Sequence, residues 1–517
     1  MFVTTFLLDT KHHNIEKYLH KVFWFSFLMK NNLIKQTNIN LSKLKCDTQY
    51  KNLINEYKQF KNLEIPTKQD KLHFKDICFQ LNELIKSYGL TKAYLYKYLS
   101  VQQKKYKRYI SSQMANAIAD DVLQALEKVL YSDGKIIHFK KFNEIKTIAA
   151  KSLTNGIFVI YENNKLYIEF HLNRKNSLRI PVIIKDYDTY GKEVLTNALV
   201  KQSIKYATIK RQMFNNGYKY YVQFTINDIP PMKHTKGLGN CGLDIGVSSI
   251  ASVSDDKCYL EDLAPNIKEY NNKIIKLQKQ LERSKKINNE NCYNTNGTIK
   301  KGSKFIQTKN YKKLYKRYLT LCRKRNCYVK QTHCKLANNI IEHCNTIYYE
   351  EMNFKSLQKR SKTLERSNKT SIIQNKDGGT KLIKKFKRKK RFGKTLQNKA
   401  PSHFLTILKN KCEFYEIPIM GIKTKTFKAS QYNHITNKYI KKPLSKRFNE
   451  FQLPNNENVT IQRDLYSAYL IKNSLPNLKQ TDRTKCINDF KKFIQLHNEC
   501  IAYVKQTNLN RLSCFGF

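Results

Sequence analysis

The stretch GLDIGVSSIASVSDD at residues 242–256 sets small and apolar residues around a tight Gly turn and reads as a buried strand, with Asp244 inside it. An unpaired carboxylate in such a run costs several kcal/mol, so Asp244 calls for partners. Two more acidic residues stand in comparable places. Glu350, followed by Glu351, ends a short strand at 347–350, and Asp464 opens a helix in QRDLYSAY, residues 462–469. Each alone has a bland reading: D-x-G is more often a turn, a strand-terminal Glu is usually solvated, and an Asp at a helix start is often a cap.

Outward from this stretch, strands alternate with helices. Ile267, Tyr270, Ile274, Leu277 and Leu281 fall on a 3,4 spacing, and helical periodicity resumes from Leu314 to Ile340 after a polar stretch at 288–304. Two basic helices joined by a loop predict an antiparallel hairpin, whose apolar seam is read as packing within the chain. A helix at 404–414, a strand at 417–422 and a helix from Leu465 complete an α/β unit with a central sheet. In a sheet of the RNase H type, carboxylates from the first strand, a later strand end and a terminal helix converge to hold two divalent ions. Such a pair activates water for in-line phosphodiester cleavage, and hard oxygen donors favour Mg²⁺.

Toward the N-terminus, FVTTFLL at 2–8 reads as a strand, and the chain from His13 to Val129 as amphipathic helices. Apolar runs at 136–140, 157–161, 166–172, 179–185 and 206–227, separated by turn signals such as Asn215-Asn216-Gly217, predict a β-rich unit. It recruits the first strand and is closed by Pro230-Pro231. The last 40 residues read as one more amphipathic helix with a frayed end.

The composition limits what this assembly can do. Across 517 residues there are 96 Lys and Arg against 40 Asp and Glu, a formal net charge of +56. Charge on that scale destabilises a compact chain unless a polyanion neutralises it, which argues against a metabolic enzyme and for nucleic acid or an anionic membrane. A spanning helix needs about 20 apolar residues, and the longest such run, at 22–29, has eight, so no membrane partner is expected. The Lys and His residues at 11–13 follow the apolar start instead of preceding it, which does not fit a secretory signal. Thirteen cysteines, odd in number and without C-x-x-C, read as reduced thiols. Cys322, Cys327, His333 and Cys334 lie in a helical stretch whose spacing does not gather them on one face, so they are read as packed side chains and not as ligands. Between Lys355 and Lys399 there are 17 Lys or Arg against Glu365 and Asp377. Within it, Lys384, Lys385, Lys387, Arg388, Lys389, Lys390 and Arg391 are the candidate phosphate-tracking residues.

With these motifs together, GLDIGVSSIASVSDD at 242–256, NTIYYEEMNFKSLQKR at 345–360, KKRFGKTLQNKAPSHFL at 389–405 and QRDLYSAYLIKNSL at 462–475, the chain resembles the RuvC-like nucleases of the TnpB family. These are transposon-encoded proteins related to compact type V CRISPR effectors. The resemblance extends to GYKYYVQFTINDIPP at 217–231. It implies a multidomain α+β protein: a first strand of a wedge β-barrel at 1–12, a helical recognition lobe at 13–132, the wedge β-barrel at 133–232, and an RNase H-like (RuvC) α/β nuclease domain at 240–475. The last carries a helical hairpin insertion at 267–343 and a zinc-ribbon remnant at 424–460, and a helical tail follows at 476–517. It further implies RNA-guided, Mg²⁺-dependent cleavage of double-stranded DNA beside a flanking motif, with guide RNA as partner. The protein would be monomeric with its RNA, cytoplasmic and nucleoid-associated. Asp244, Glu350 and Asp464 match the catalytic, Mg²⁺-holding triad, with Glu350 at the first acidic position of its motif. The alternatives are a compact type V CRISPR effector, a guided DNA-binding protein without cleavage, and a strand-transfer transposase. The sequence departs from the family in two places. No cysteine lies between Cys412 and Cys486, and Asn433 and Thr436 stand where metal ligands are expected, with His434 the one histidine nearby, so no zinc is expected. Gln462 replaces the first acidic residue of the D-R-D motif.

Overall fold

A computed structural model describes the whole chain except residues 62–66, 133, 173–175, 359–365, 375–378, 387–391, 444, 454–455 and 508–514. It divides into two compact units, Met1–Pro231 and Met232–Phe517, and contains both helices and sheets in each. Among the described residues no helix is long and apolar enough to cross a membrane.

In the N-terminal unit six α-helices among the described residues, His13–Cys46, Thr48–Lys61, Lys68–Ser87, Lys92–Lys105, Ser112–Tyr131 and Thr189–Val200, accompany a seven-stranded antiparallel sheet. The strand Phe2–Leu8 lies inside this sheet, paired on one side with Gly217–Ile226 and on the other with Ser177–Ile183. The expected barrel is, in its hydrogen bonding, an open sheet: its ends, Thr147–Ala149 and Phe158–Glu162, are not paired with each other among the described residues.

Two further expectations change here. The lobes expected at 13–132 and 133–232 form one unit, because the long first helix presses its apolar face onto the sheet: Phe23 meets Tyr220 at 6.0 Å and Tyr18 meets Phe170 at 5.5 Å between ring centroids. The apolar run at 136–140 is not a strand. Its backbone is satisfied by two helix side chains, which stand in for a neighbouring strand. The Asn38 amide exchanges bonds with the Ile137 N–H (3.1 Å) and carbonyl (2.8 Å), and Asn31 does the same with Lys140 at 2.9 Å each.

The C-terminal unit is built on a five-stranded sheet. Along the sheet the order is Cys258–Asp262, Ser249–Val253, Asn240–Ile245, Thr346–Glu351, Ile419–Lys423. The first three strands are antiparallel neighbours, and the last two run parallel to Asn240–Ile245. The 242–256 stretch is therefore not one strand but most of a hairpin turning at Gly246, and Cys258–Asp262 adds a third strand that periodicity along the chain does not reveal. Alternation splits the side chains between two faces. Cys241, Leu243, Ile245, Ile347 and Tyr349 meet the helices Lys309–Ile341 and Pro401–Tyr415. Ala251, Val253 and Ile422 meet Arg463–Lys472 and Arg483–Thr507 on the other face. The expected tail at 476–517 is thus part of this core: Phe490 and Phe493 are buried, and Phe493 stacks on Tyr469 at 4.2 Å. The helices Ile267–Ile287 and Lys309–Ile341 pack as an antiparallel pair, Tyr270 against Tyr328 and Gln278 against Tyr318.

Candidate active site

Asp244 and Glu350 reach the same sheet face through register. Leu243 pairs with Tyr349 in adjacent parallel strands, so the next residues, Asp244 and Glu350, both turn to the opposite side. Gly242 lies on that side too, and this permits the third element to approach. A Cβ at Gly242 would run into the Ala468 carbonyl oxygen and the Lys472 amide nitrogen, so the helix Arg463–Lys472 rests directly on the strand backbone. The strand Asn458–Gln462 leads straight into that helix, and Asp464 falls in its first turn, where a carboxylate is favoured by the helix dipole. Glu351 is on the other face, its carboxylate lying against the backbone of Gly421.

The electrostatics of the three carboxylates are asymmetric. Asp244 is half-buried, and its pKa is pushed well up, first by burial, then by the negative fields of Asp464 and Glu350, with Arg463 opposing. Burial raises Glu350 as well, while a hydrogen bond from Thr424 pulls it down. Asp464 is held by cations: its Oδ1 lies 3.3 Å from Nη2 of Arg463 and its Oδ2 lies 3.5 Å from Nη1 of Arg447.

Gln462, buried completely, serves two purposes. Its Oε1 accepts from the Leu465 N–H at 2.8 Å, capping the helix, and its Nε2 donates to Asp464 Oδ2 at 3.3 Å. Its backbone N–H donates to Nε2 of His497 at 3.0 Å. An Asp at 462 would keep the cap but would face Asp464 with a second negative charge. Neither arginine stands out in the sequence. Arg463 is visible beside Asp464, but Arg447 reaches the site only because the Phe448–Gln452 and Asn458–Gln462 strands pair.

As the side chains stand, no group of three or more His, Cys, Asp or Glu among the described residues is close enough together to hold a metal ion. The donor chemistry nonetheless fits a hard divalent cation: three carboxylates, no soft ligand, and a central Asp244 whose ionised form is disfavoured until positive charge arrives.

The other singled-out residues lie elsewhere. Asn433 accepts from the N–H groups of Ile435 (3.0 Å) and Thr436 (3.2 Å), closing a turn. His434 is buried, with Nδ1 2.7 Å from the Tyr466 hydroxyl and its ring 4.5 Å from that of Phe490. His333 is also buried, with Nε2 3.0 Å from the Lys399 carbonyl oxygen and Nδ1 3.3 Å from Nδ1 of His403. Of the basic run, Lys384 is exposed on the strand Thr380–Phe386 and Lys385 follows it there. Lys387, Arg388, Lys389, Lys390 and Arg391 lie outside the described residues.

The class these observations define is a strongly basic, mixed α/β protein with three acidic side chains assembled around one sheet face. No protein-family model matches the chain, and no curated protein does. Among solved structures, a CRISPR-Cas12f ternary complex is similar over 91% of this chain and 87% of that one, at 14% identity and a TM-score of 0.26. A ternary complex of AacC2c1 with single-guide RNA and extended non-target DNA is similar over 82% and 69%, at 8% identity and a TM-score of 0.26. Likeness at that level assigns no activity to this chain.

Proposed function

We propose that the protein is an RNA-guided, metal-dependent DNA endonuclease of the TnpB and type V kind, with Asp244, Glu350 and Asp464 as its catalytic residues. The observation that carries the reading is the placement of three carboxylates by a central strand, its parallel neighbour and the helix that covers them, with Asp244 in the negative field of the other two. The strand order, three antiparallel neighbours and then two parallel ones, supports the expectation of an RNase H-type sheet. Asp244, Glu350 and Asp464 would hold Mg²⁺, which would supply Lewis-acid activation of water and stabilisation of the leaving oxygen. The water oxygen forms a bond to phosphorus, the bond from phosphorus to the 3′ oxygen breaks, and that oxygen leaves with a proton as a hydroxyl. The chain's own residues prepare this. Asp244 gathers negative charge where a cation is to sit, Gln462 orients Asp464, and Arg463 and Arg447 balance Asp464.

Guide RNA and the DNA duplex are the polyanions that offset +56. In the N-terminal unit, Lys21 and Arg108 lie over the ring of Tyr109 at 5.6 and 5.9 Å, and Trp24 is 41% exposed, a mix of cations and aromatic faces suited to RNA. No zinc is proposed, since Asn433 and His434 are engaged in a turn and in the aromatic core.

The test is to express the gene with its downstream flank, sequence the RNA that co-purifies, and challenge the complex with a randomised DNA library and Mg²⁺. Asp244→Ala is expected to retain the RNA and to lose cleavage by about a thousandfold or more. Unchanged cutting by that variant, or absence of any specific RNA, overturns the reading. A second reading, guided DNA binding without cleavage, is favoured by one observation: Arg447, Arg463 and Gln462 engage both oxygens of Asp464. Wild-type protein that binds its target but leaves it intact at any Mg²⁺ concentration would select it.

A further inference from the structure

Among the described residues the strands Arg366–Gln374 and Thr380–Phe386 pair only with each other, apart from the central sheet. Ile372 and Leu382 are direct cross-strand partners and are 70% and 67% exposed. Thr370, Thr380 and Lys384 occupy the same face by alternation, so the apolar pair has a polar, cationic rim. In sequence the hairpin lies between two anchored segments, its neck. The short helices Phe354–Gln358 and Gly393–Lys399 pack together, and Phe354 and Leu396 are buried in the core under the sheet. Lys399 then locks the neck, its Nζ lying 2.6 and 2.7 Å from the two carboxylate oxygens of Asp262 and 2.9 Å from the Ala264 carbonyl. The entry helix begins three residues after Glu351, on the strand that carries Glu350.

Side by side and open to water on a hairpin dense in lysine, these two large aliphatic side chains offer an apolar surface for a partner to cover. The surroundings specify what: the 355–399 segment carries 17 cations against two acidic residues, which repels a basic surface such as that of a second copy and attracts phosphate. The side chains are aliphatic and not aromatic, which suits prying base steps apart better than serving as a stacking platform for single strands. Resting on the proposal that the protein acts on DNA, we propose that this hairpin is a DNA wedge, with Ile372 and Leu382 inserting between base steps where duplex meets single strand.

The test uses the full-length protein with its co-purifying RNA and a forked DNA carrying 2-aminopurine at the first paired step. The measurement is made in EDTA, so that it does not depend on cleavage. Wild-type protein is expected to raise the 2-aminopurine fluorescence. The I372S/L382S double variant should still bind the fork, by anisotropy, but lose that rise, and I372M/L382M should recover it. A rise that survives the serine pair overturns the wedge. So does concentration-dependent self-association that the serine pair abolishes, because the apolar pair would then join two copies. Because the signal needs no metal, a protein that unstacks the fork but never cuts counts against the nuclease reading alone.

Discussion

At His434 and His333 folding works against a proton. Burial, then the positive charge of Arg483, pushes the His434 pKa down from 6.5 to about 4. Burial, then His403, does the same to His333, again to about 4. Both rings are therefore neutral in the folded protein over a range where the unfolded chain takes up protons. Below pH 6.5 the unfolded state binds more protons, so stability falls as pH falls and the loss is complete near pH 4. For His434 alone the shift corresponds to about 3 kcal/mol. Thermal unfolding of the free protein between pH 7.5 and 4, at constant ionic strength, is expected to show the melting temperature dropping through this window. His434→Gln should make the drop shallower, and a profile unchanged by that substitution would remove His434 from the account. Asp244, Glu350 and Asp464 could be picked out from the sequence because a carboxylate in an apolar strand or at a helix start breaks the local pattern. His434, Arg447 and Gln462 could not be given their roles that way, since each depends on a neighbour brought in by pairing or packing.

At the scale of elements, the contact between the central strand and the Arg463–Lys472 helix positions the third carboxylate, and Gly242 makes it possible. Gly242→Ala puts a methyl group against helix backbone that cannot rotate away, in contrast to a clash with a flexible side chain. The cost of such overpacking is about 1–3 kcal/mol, and the helix must shift from the strand. The expected outcome is a lower melting temperature together with weaker binding of Ca²⁺, a non-catalytic probe of the carboxylates, by titration calorimetry. An unchanged melting temperature would show that the helix can yield. The helical pair in the C-terminal unit followed from periodicity, with the seam residues Ile267, Ile274 and Leu281 all buried. The segment at 136–140 has an apolar pattern that suits a strand, but the backbone of Ile137 and Lys140 bonds to the side chains of Asn38 and Asn31 instead of a neighbouring strand. The 366–386 hairpin was hidden beneath its own charge, since a run dense in lysine reads as solvated loop.

The +56 charge governs the behaviour of the whole molecule. Without a polyanion its self-repulsion opposes folding, and salt relieves that repulsion by screening. Heparin, or any RNA that co-purifies, should raise the melting temperature of the polyanion-free chain at low ionic strength, and the increment should shrink as salt rises. An increment independent of salt would mean the polyanion acts through something other than charge. Sequence alone determined the charge, the presence of three acidic motifs in apolar settings and the alternation of strands and helices, because each is a property of neighbouring residues along the chain. Only the tertiary structure decided that the helices and strands before Pro231 share one core, that Asp244 and Glu350 face the same side, and that Gln462 and two arginines govern Asp464. Those outcomes depend on strand register and on how closely a helix can approach a sheet, which are set by contacts between residues far apart in sequence.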